Sequence, residues 1–128
     1  MRKYGSEIKS HLEDAAVNLQ AAREALAQGQ YDSAVLRAGE SAFHTGSMLL
    51  LDEEIETSRH GDVITLIQEV FVQGRQLTKE QGGNLAWLFA LRNAGQSGTA
   101  GLATSNEAHK AVDVSGTFFD AARVILEA

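Results

Sequence analysis

Several arginine and histidine side chains of this sequence could bind a phosphate group or transfer protons beside it. Histidine suits proton transfer at neutral pH, and an arginine guanidinium binds phosphate through two parallel hydrogen bonds. The candidate ligand-binding residues are Arg37, His44, His60, Arg92 and Asn93. His44 could act as a general base, and Arg92 could contact a phosphate through its guanidinium fork, so these two are also the candidates for a catalytic role.

Each of these residues also has a purely structural interpretation. Arg37 falls on the same helical face as Ser41 and His44, where it can pair with a nearby acidic side chain. His44 can be a hydrogen-bonded histidine at the edge of a core, and His60 can be a solvated turn residue. Arg92 can satisfy the carbonyl groups at the end of its helix. Residue type and spacing leave both interpretations open.

Composition removes several function classes. The 128-residue chain has 17 acidic and 11 basic side chains and a net charge of −6, whereas generic binding to a nucleic-acid backbone needs a clustered basic surface. It contains no cysteine, which excludes thiolate metal sites and disulfides. The acidic run 52–56 lacks the spaced partners of a metal site and is interpreted as a solvated loop. We expect neither a metal nor a cofactor.

No segment predicts a membrane association. The longest apolar run is residues 48–51, far shorter than the roughly 20 residues that cross a bilayer. The first residues lack the apolar core of a secretion signal. The predicted location is cytoplasmic.

Apolar residues at steps of three and four predict the helices that must position the candidate side chains. The first helix is expected over residues 6–28, ending at Gly29, and the second over residues 33–51, with Asp32 as its N-cap. Residues 52–61 are expected to form a loop. Asp62 is the expected cap of a third helix that ends near residue 74.

Two capping boxes predict the remaining helices. Thr78 with Gln81 and Thr104 with Glu107 match the pattern in which side chain and backbone cap each other. The glycine pair at 82–83 is expected to delay the fourth helix, and the glycine-rich residues 95–103 are expected to form a mobile loop.

The predicted fold class is all-α, because no strand-like alternation occurs. Four to five helices joined by short loops predict an antiparallel up-and-down bundle, and residues 1–128 are expected to form a single domain. The small residues Gly39, Ala42 and Gly46 form a stripe along the second helix. We expect another backbone to approach this stripe closely, within the bundle or across a dimer.

The order of these features resembles the HEPN domain, a helical bundle named for nucleotide binding in higher eukaryotes and prokaryotes. The resemblance is to its stand-alone prokaryotic branch and spans about residues 6–127. Residues 29–34 match a G-x-Y-x-x-A turn, and residues 36–44 resemble a helix reading S-R-A-Y-Y-A-x-F-H. Residues 58–63 are similar to a T-H-K-G-V loop. Residues 91–94 fall where the family has L-R-x-x-A-D-Y or R-N-x-x-x-H.

The resemblance implies a homodimer, often encoded beside a minimal nucleotidyltransferase in toxin–antitoxin or defence modules, with a nucleotide or RNA as ligand. Active family members are metal-independent ribonucleases, and their arginine and histidine meet in a cleft formed by the dimer. Arg92 matches that arginine, but residues 96–98 include no histidine or tyrosine. Gly39 and Glu40 stand in place of the family's paired tyrosines.

Three functions follow, and the sequence does not decide whether the chain is an enzyme. The favoured one is a non-catalytic HEPN-like module that binds a nucleotide, RNA or a nucleotidyltransferase, because losing the proton-transfer residue removes roughly 10²–10⁴-fold in rate. The alternative is a metal-independent ribonuclease using Arg92 with His44 or His60. The second alternative is an interaction scaffold of the tetratricopeptide type, although the roughly 34-residue repeat does not recur.

Overall fold

Five α-helices follow one another in the computed structural model, which describes residues 3–57, 59–97 and 102–127. Within these residues there is no strand, so the all-α prediction is confirmed. A π-helical turn, Gln68–Val72, continues the third helix. The helices are α1 (Gly5–Ala27), α2 (Tyr31–Asp52), α3 (His60–Ile67), α4 (Lys79–Ser97) and α5 (Ser105–Glu127).

The turn between α1 and α2 depends on a left-handed residue. Gly29 has a φ of 72°, a conformation that glycine adopts without a steric penalty, and α1 ends just before it as the sequence predicts. The amide of Gln30 donates back to the carbonyl of Ala25 at 2.9 Å, which closes the end of the helix. The chain reverses here, and α2 packs along α1.

The predicted N-cap role of Asp32 is wrong. Helix α2 begins at Tyr31, and Asp32 lies in its first turn, where a carboxylate interacts favourably with the helix dipole. The Asp32 carboxylate accepts the backbone amide of Ala103 at 2.6 Å. This side chain therefore ties the segment before α5 to the start of α2.

The predicted start of α3 is also wrong. The helix begins at His60, inside the expected loop 52–61, and Asp62 lies in its first turn instead of capping it. Arg59 precedes the helix with an extended backbone, at φ −100° and ψ 129°. That conformation is typical of an N-cap residue, although no side chain caps this end.

Helix α4 is longer at both ends than the sequence predicts. It begins at Lys79, so the glycine pair at 82–83 does not delay it, and the Gly82 carbonyl accepts the side-chain amide of Gln68 at 2.7 Å. At its other end it extends to Ser97, and the expected loop is wrong for residues 95–97. Residues 98–101 lie outside the part of the chain that the structure describes.

Both capping boxes are confirmed. The Thr78 amide donates to the Gln81 side chain at 2.8 Å, and the Gln81 amide donates to the Thr78 hydroxyl at 3.0 Å. Thr104 and Glu107 make the same reciprocal pair at 2.9 and 3.0 Å. These bonds satisfy amides that the first turns of α4 and α5 leave without a helical partner.

Helix α2 is the centre of the bundle, since it packs against each of the other four α-helices. Its buried large side chains, Met48, Leu49 and Leu50, are wholly inaccessible to solvent. Apolar residues from all five helices and the π-helical turn complete one main core around them. No helix of the described residues is both long enough and apolar enough to cross a membrane.

The glycine stripe of α2 receives side chains of the same chain at Gly39 and Gly46. The expected approach of another backbone is therefore wrong within the bundle, and an approach across a dimer stays a prediction. A Cβ atom added at Gly46 would lie 2.7 Å from Cγ1 of Val63, on α3. The space beside Gly39 is likewise filled by a side chain, that of Arg92. Glycine is needed at both positions because a Cβ atom would overlap these side chains.

Two Gly→Ala substitutions test this packing. We expect Gly46→Ala to destabilise the protein by about 1–2 kcal/mol, because Val63 is β-branched and stiff, and the overpacking outweighs the gain in helix propensity. Gly83 lies inside α4 with nothing within 4 Å of an added Cβ. Gly83→Ala is the matched control and should stabilise by about 0.5–1 kcal/mol. Urea unfolding measures both, and equal effects of the two changes would contradict the packing described here.

Candidate functional site

Arg92 projects from α4 into the bundle, toward α2. Its side chain is only 5% exposed, and the guanidinium Nη2 donates to Oε1 of Glu40 in an ion pair. The other terminal nitrogen, Nη1, donates to Oδ1 of the neighbouring Asn93 at 3.3 Å. The two candidates Arg92 and Asn93 are therefore in contact with each other, and Arg92 also contacts a carboxylate of α2.

Gly39 provides the space in which the Arg92 side chain lies. A Cβ atom at position 39 would lie 2.9 Å from Cγ of Arg92 and closer still to Cδ. The aliphatic stem of the arginine therefore packs directly on the α2 backbone, and its head reaches Glu40 one residue further along. Gly39 and Glu40 act together, the first giving room to the stem and the second compensating the charge.

The ion pair is asymmetric in its exposure. Glu40 retains 27% of its side-chain accessibility, against 5% for Arg92. Transferring a charged guanidinium out of water is costly unless a partner compensates it, and Glu40 supplies that partner from within the chain. The carboxylate is also the more accessible member, so an approaching ligand meets negative charge together with the arginine.

Three polar side chains of α2 face α1. The prediction that Arg37, Ser41 and His44 share one helical face is confirmed by their hydrogen bonds to a single neighbouring helix. Their partners are the side chain of Asn18 at 3.3 Å, the carbonyl of Ala15 at 2.8 Å and the ring of His11 at 2.9 Å.

His44 and His11 form a histidine pair through their Nδ1 atoms, 2.9 Å apart. One ring must donate and the other accept, so the two imidazoles cannot both be fully protonated while the bond persists. Burial lowers the pKa of His11, the nearby His44 lowers it further, and Asp14 opposes these effects. The ring of Phe43 contacts His44 edge-on, with centroids 5.3 Å apart.

The structure places the candidate residues in two groups. Arg92 and Asn93 are on α4, and the ion pair joins Arg92 to α2. His44 and Arg37 are bonded to α1. The side chain of His60 lies outside the described part of the chain. The contacts that hold Arg92 and those that hold His44 are thus made with different helices.

Two functional neighbours were missed from the sequence. The sequence predicts Glu40 only as a replacement for a family tyrosine or as an ion-pair partner of Arg37, and it predicts that His11 faces solvent. His11 is half-buried. Its position, three residues after the buried Ile8 and four before the buried Ala15, already places it at the edge of the apolar stripe. No local signal links Glu40 to Arg92, since 52 residues separate them.

The described residues include no group of three or more histidine, cysteine, aspartate or glutamate side chains placed to hold a metal ion. Arg92 offers a guanidinium whose positive charge is paired with the Glu40 carboxylate. The chemistry available at His44 is that of an imidazole hydrogen-bonded to a second imidazole.

Comparison with known families gives one match. A family model described as the HEPN domain matches residues 8–125, which covers nearly the whole chain and parts of all five helices. A search of curated proteins finds no match.

The Arg92–Glu40 pair predicts a strong energetic coupling. We expect Glu40→Gln to destabilise the fold by about 1–3 kcal/mol, because it removes the carboxylate charge that compensates the buried guanidinium. In a double-mutant cycle with Arg92→Met, the coupling free energy should be about 1–3 kcal/mol. Chemical denaturation of the four proteins measures it, and additive effects within about 0.5 kcal/mol would contradict the pair.

The histidine pair predicts a loss of stability in mild acid. The pKa of His11 in the folded protein is below the ordinary histidine value of 6.5, so the unfolded chain binds the proton more readily. The stability that comes from keeping His11 neutral is fully present above the pKa of His11 in the unfolded chain. It declines as the pH falls toward the pKa of His11 in the folded protein. Chemical denaturation at pH 7.5 and 5.5 measures the free energy of unfolding. Its decrease between the two pH values should be smaller for His11→Gln than for wild type. The exposed His109 supplies the control His109→Gln, and an equal loss in all three proteins would refute the effect.

Proposed function

The chain belongs to the HEPN domain family, and we propose that it is a non-catalytic member that acts as a binding or partner module. The HEPN domain is a helical module often found in toxin and defence systems. The single observation that carries the proposal is that Arg92, the residue matching the family's catalytic arginine, is engaged by Glu40 inside the chain.

The ion pair weakens Arg92 as a catalytic group. Stabilising the charge that develops on a phosphoryl group needs a guanidinium that is preorganised for that group. Here the guanidinium is oriented toward the Glu40 carboxylate, and a phosphate would have to displace that carboxylate. Because Glu40 is the more exposed partner, it also repels the anion that would replace it. Both effects act against catalysis at this position.

The positions at which the family carries its proton-transfer residue hold none in this chain. Residues 96–98, where the family places a histidine or tyrosine, read Gln-Ser-Gly. His44 is hydrogen-bonded to His11 on α1, and the Arg92 side chain extends from α4 to Glu40 on α2. The missing residue supports a non-catalytic role, because general acid–base catalysis requires a base that reaches the reacting proton directly or through one water.

The proposed partners follow from the family and the charge. HEPN domains often dimerise, and we propose a homodimer that binds a nucleotide, RNA or a nucleotidyltransferase protein. The net charge of −6 favours a protein partner or a small nucleotide over a long nucleic-acid backbone. The toxin–antitoxin or defence setting is part of the same proposal.

An RNA-cleavage assay with chelator tests the proposal. We expect purified wild type and Arg92→Lys to degrade a structured and an unstructured RNA no faster than buffer. Arg92→Lys keeps a positive charge beside Glu40 while removing the planar fork that stabilises a phosphoryl group, so it is less disruptive than truncation. Circular dichroism checks that the variant is folded.

Cleavage by the wild type that falls at least about a hundredfold in Arg92→Lys would overturn the non-catalytic assignment. It would favour the alternative, a metal-independent ribonuclease that uses Arg92 with His44 or His60. In that event His44→Ala and His60→Ala would identify which histidine transfers the proton.

A further inference from the structure

We draw no further inference here: the strongest candidate, the exposed and uncharged face of α4 that carries Gly83, Ala86 and Ala90, is a stripe of small residues, and nothing in the described part of the chain shows what covers it.

Discussion

Helix α2 packs against each of the other four α-helices, and that position constrains the sequence of its buried faces. The large side chains Met48, Leu49 and Leu50 are wholly buried among the neighbouring helices. At two glycines α2 has no side chain, and side chains of neighbouring helices enter the space. Gly46 admits Val63 and Gly39 admits Arg92. The candidate site is therefore a product of the packing of α2.

Most polar groups that are buried in or against such a helix have a hydrogen-bond partner. Ser41 donates to a carbonyl of α1, and Ser115 of α5 donates to the carbonyl of Ala38 on α2. The same requirement explains Glu40, since the guanidinium that fills the Gly39 space has to be compensated. The Arg92 guanidinium can pair with the Glu40 carboxylate or with a phosphate ligand, and the two interactions compete. In this chain the structural demand occupies Arg92, and this is the basis of the non-catalytic proposal.

The helices were predictable from the sequence because their determinants are local. The apolar periodicity of α1, the left-handed Gly29 and the two capping boxes each involve residues only a few positions apart. The N-cap prediction failed at Asp32 because its carboxylate is bonded to Ala103, 71 residues away. The Arg92–Glu40 pair spans 52 residues, so only tertiary packing brings it together. Sequence patterns can identify the arginine, but they cannot show which group of the folded chain engages it.

The central claim is that the Arg92 guanidinium is held by Glu40 and is not available to a phosphate ligand. Nitrogen-15 NMR of the arginine side chain tests it most directly, because a guanidinium held in an ion pair rotates slowly and shows separate signals for its terminal nitrogens. We expect slow rotation for Arg92 in wild type, unchanged by a saturating mononucleotide, and faster rotation in Glu40→Gln. Rapid rotation in the wild type, or a large shift of the Arg92 signals on adding the nucleotide, would contradict the account.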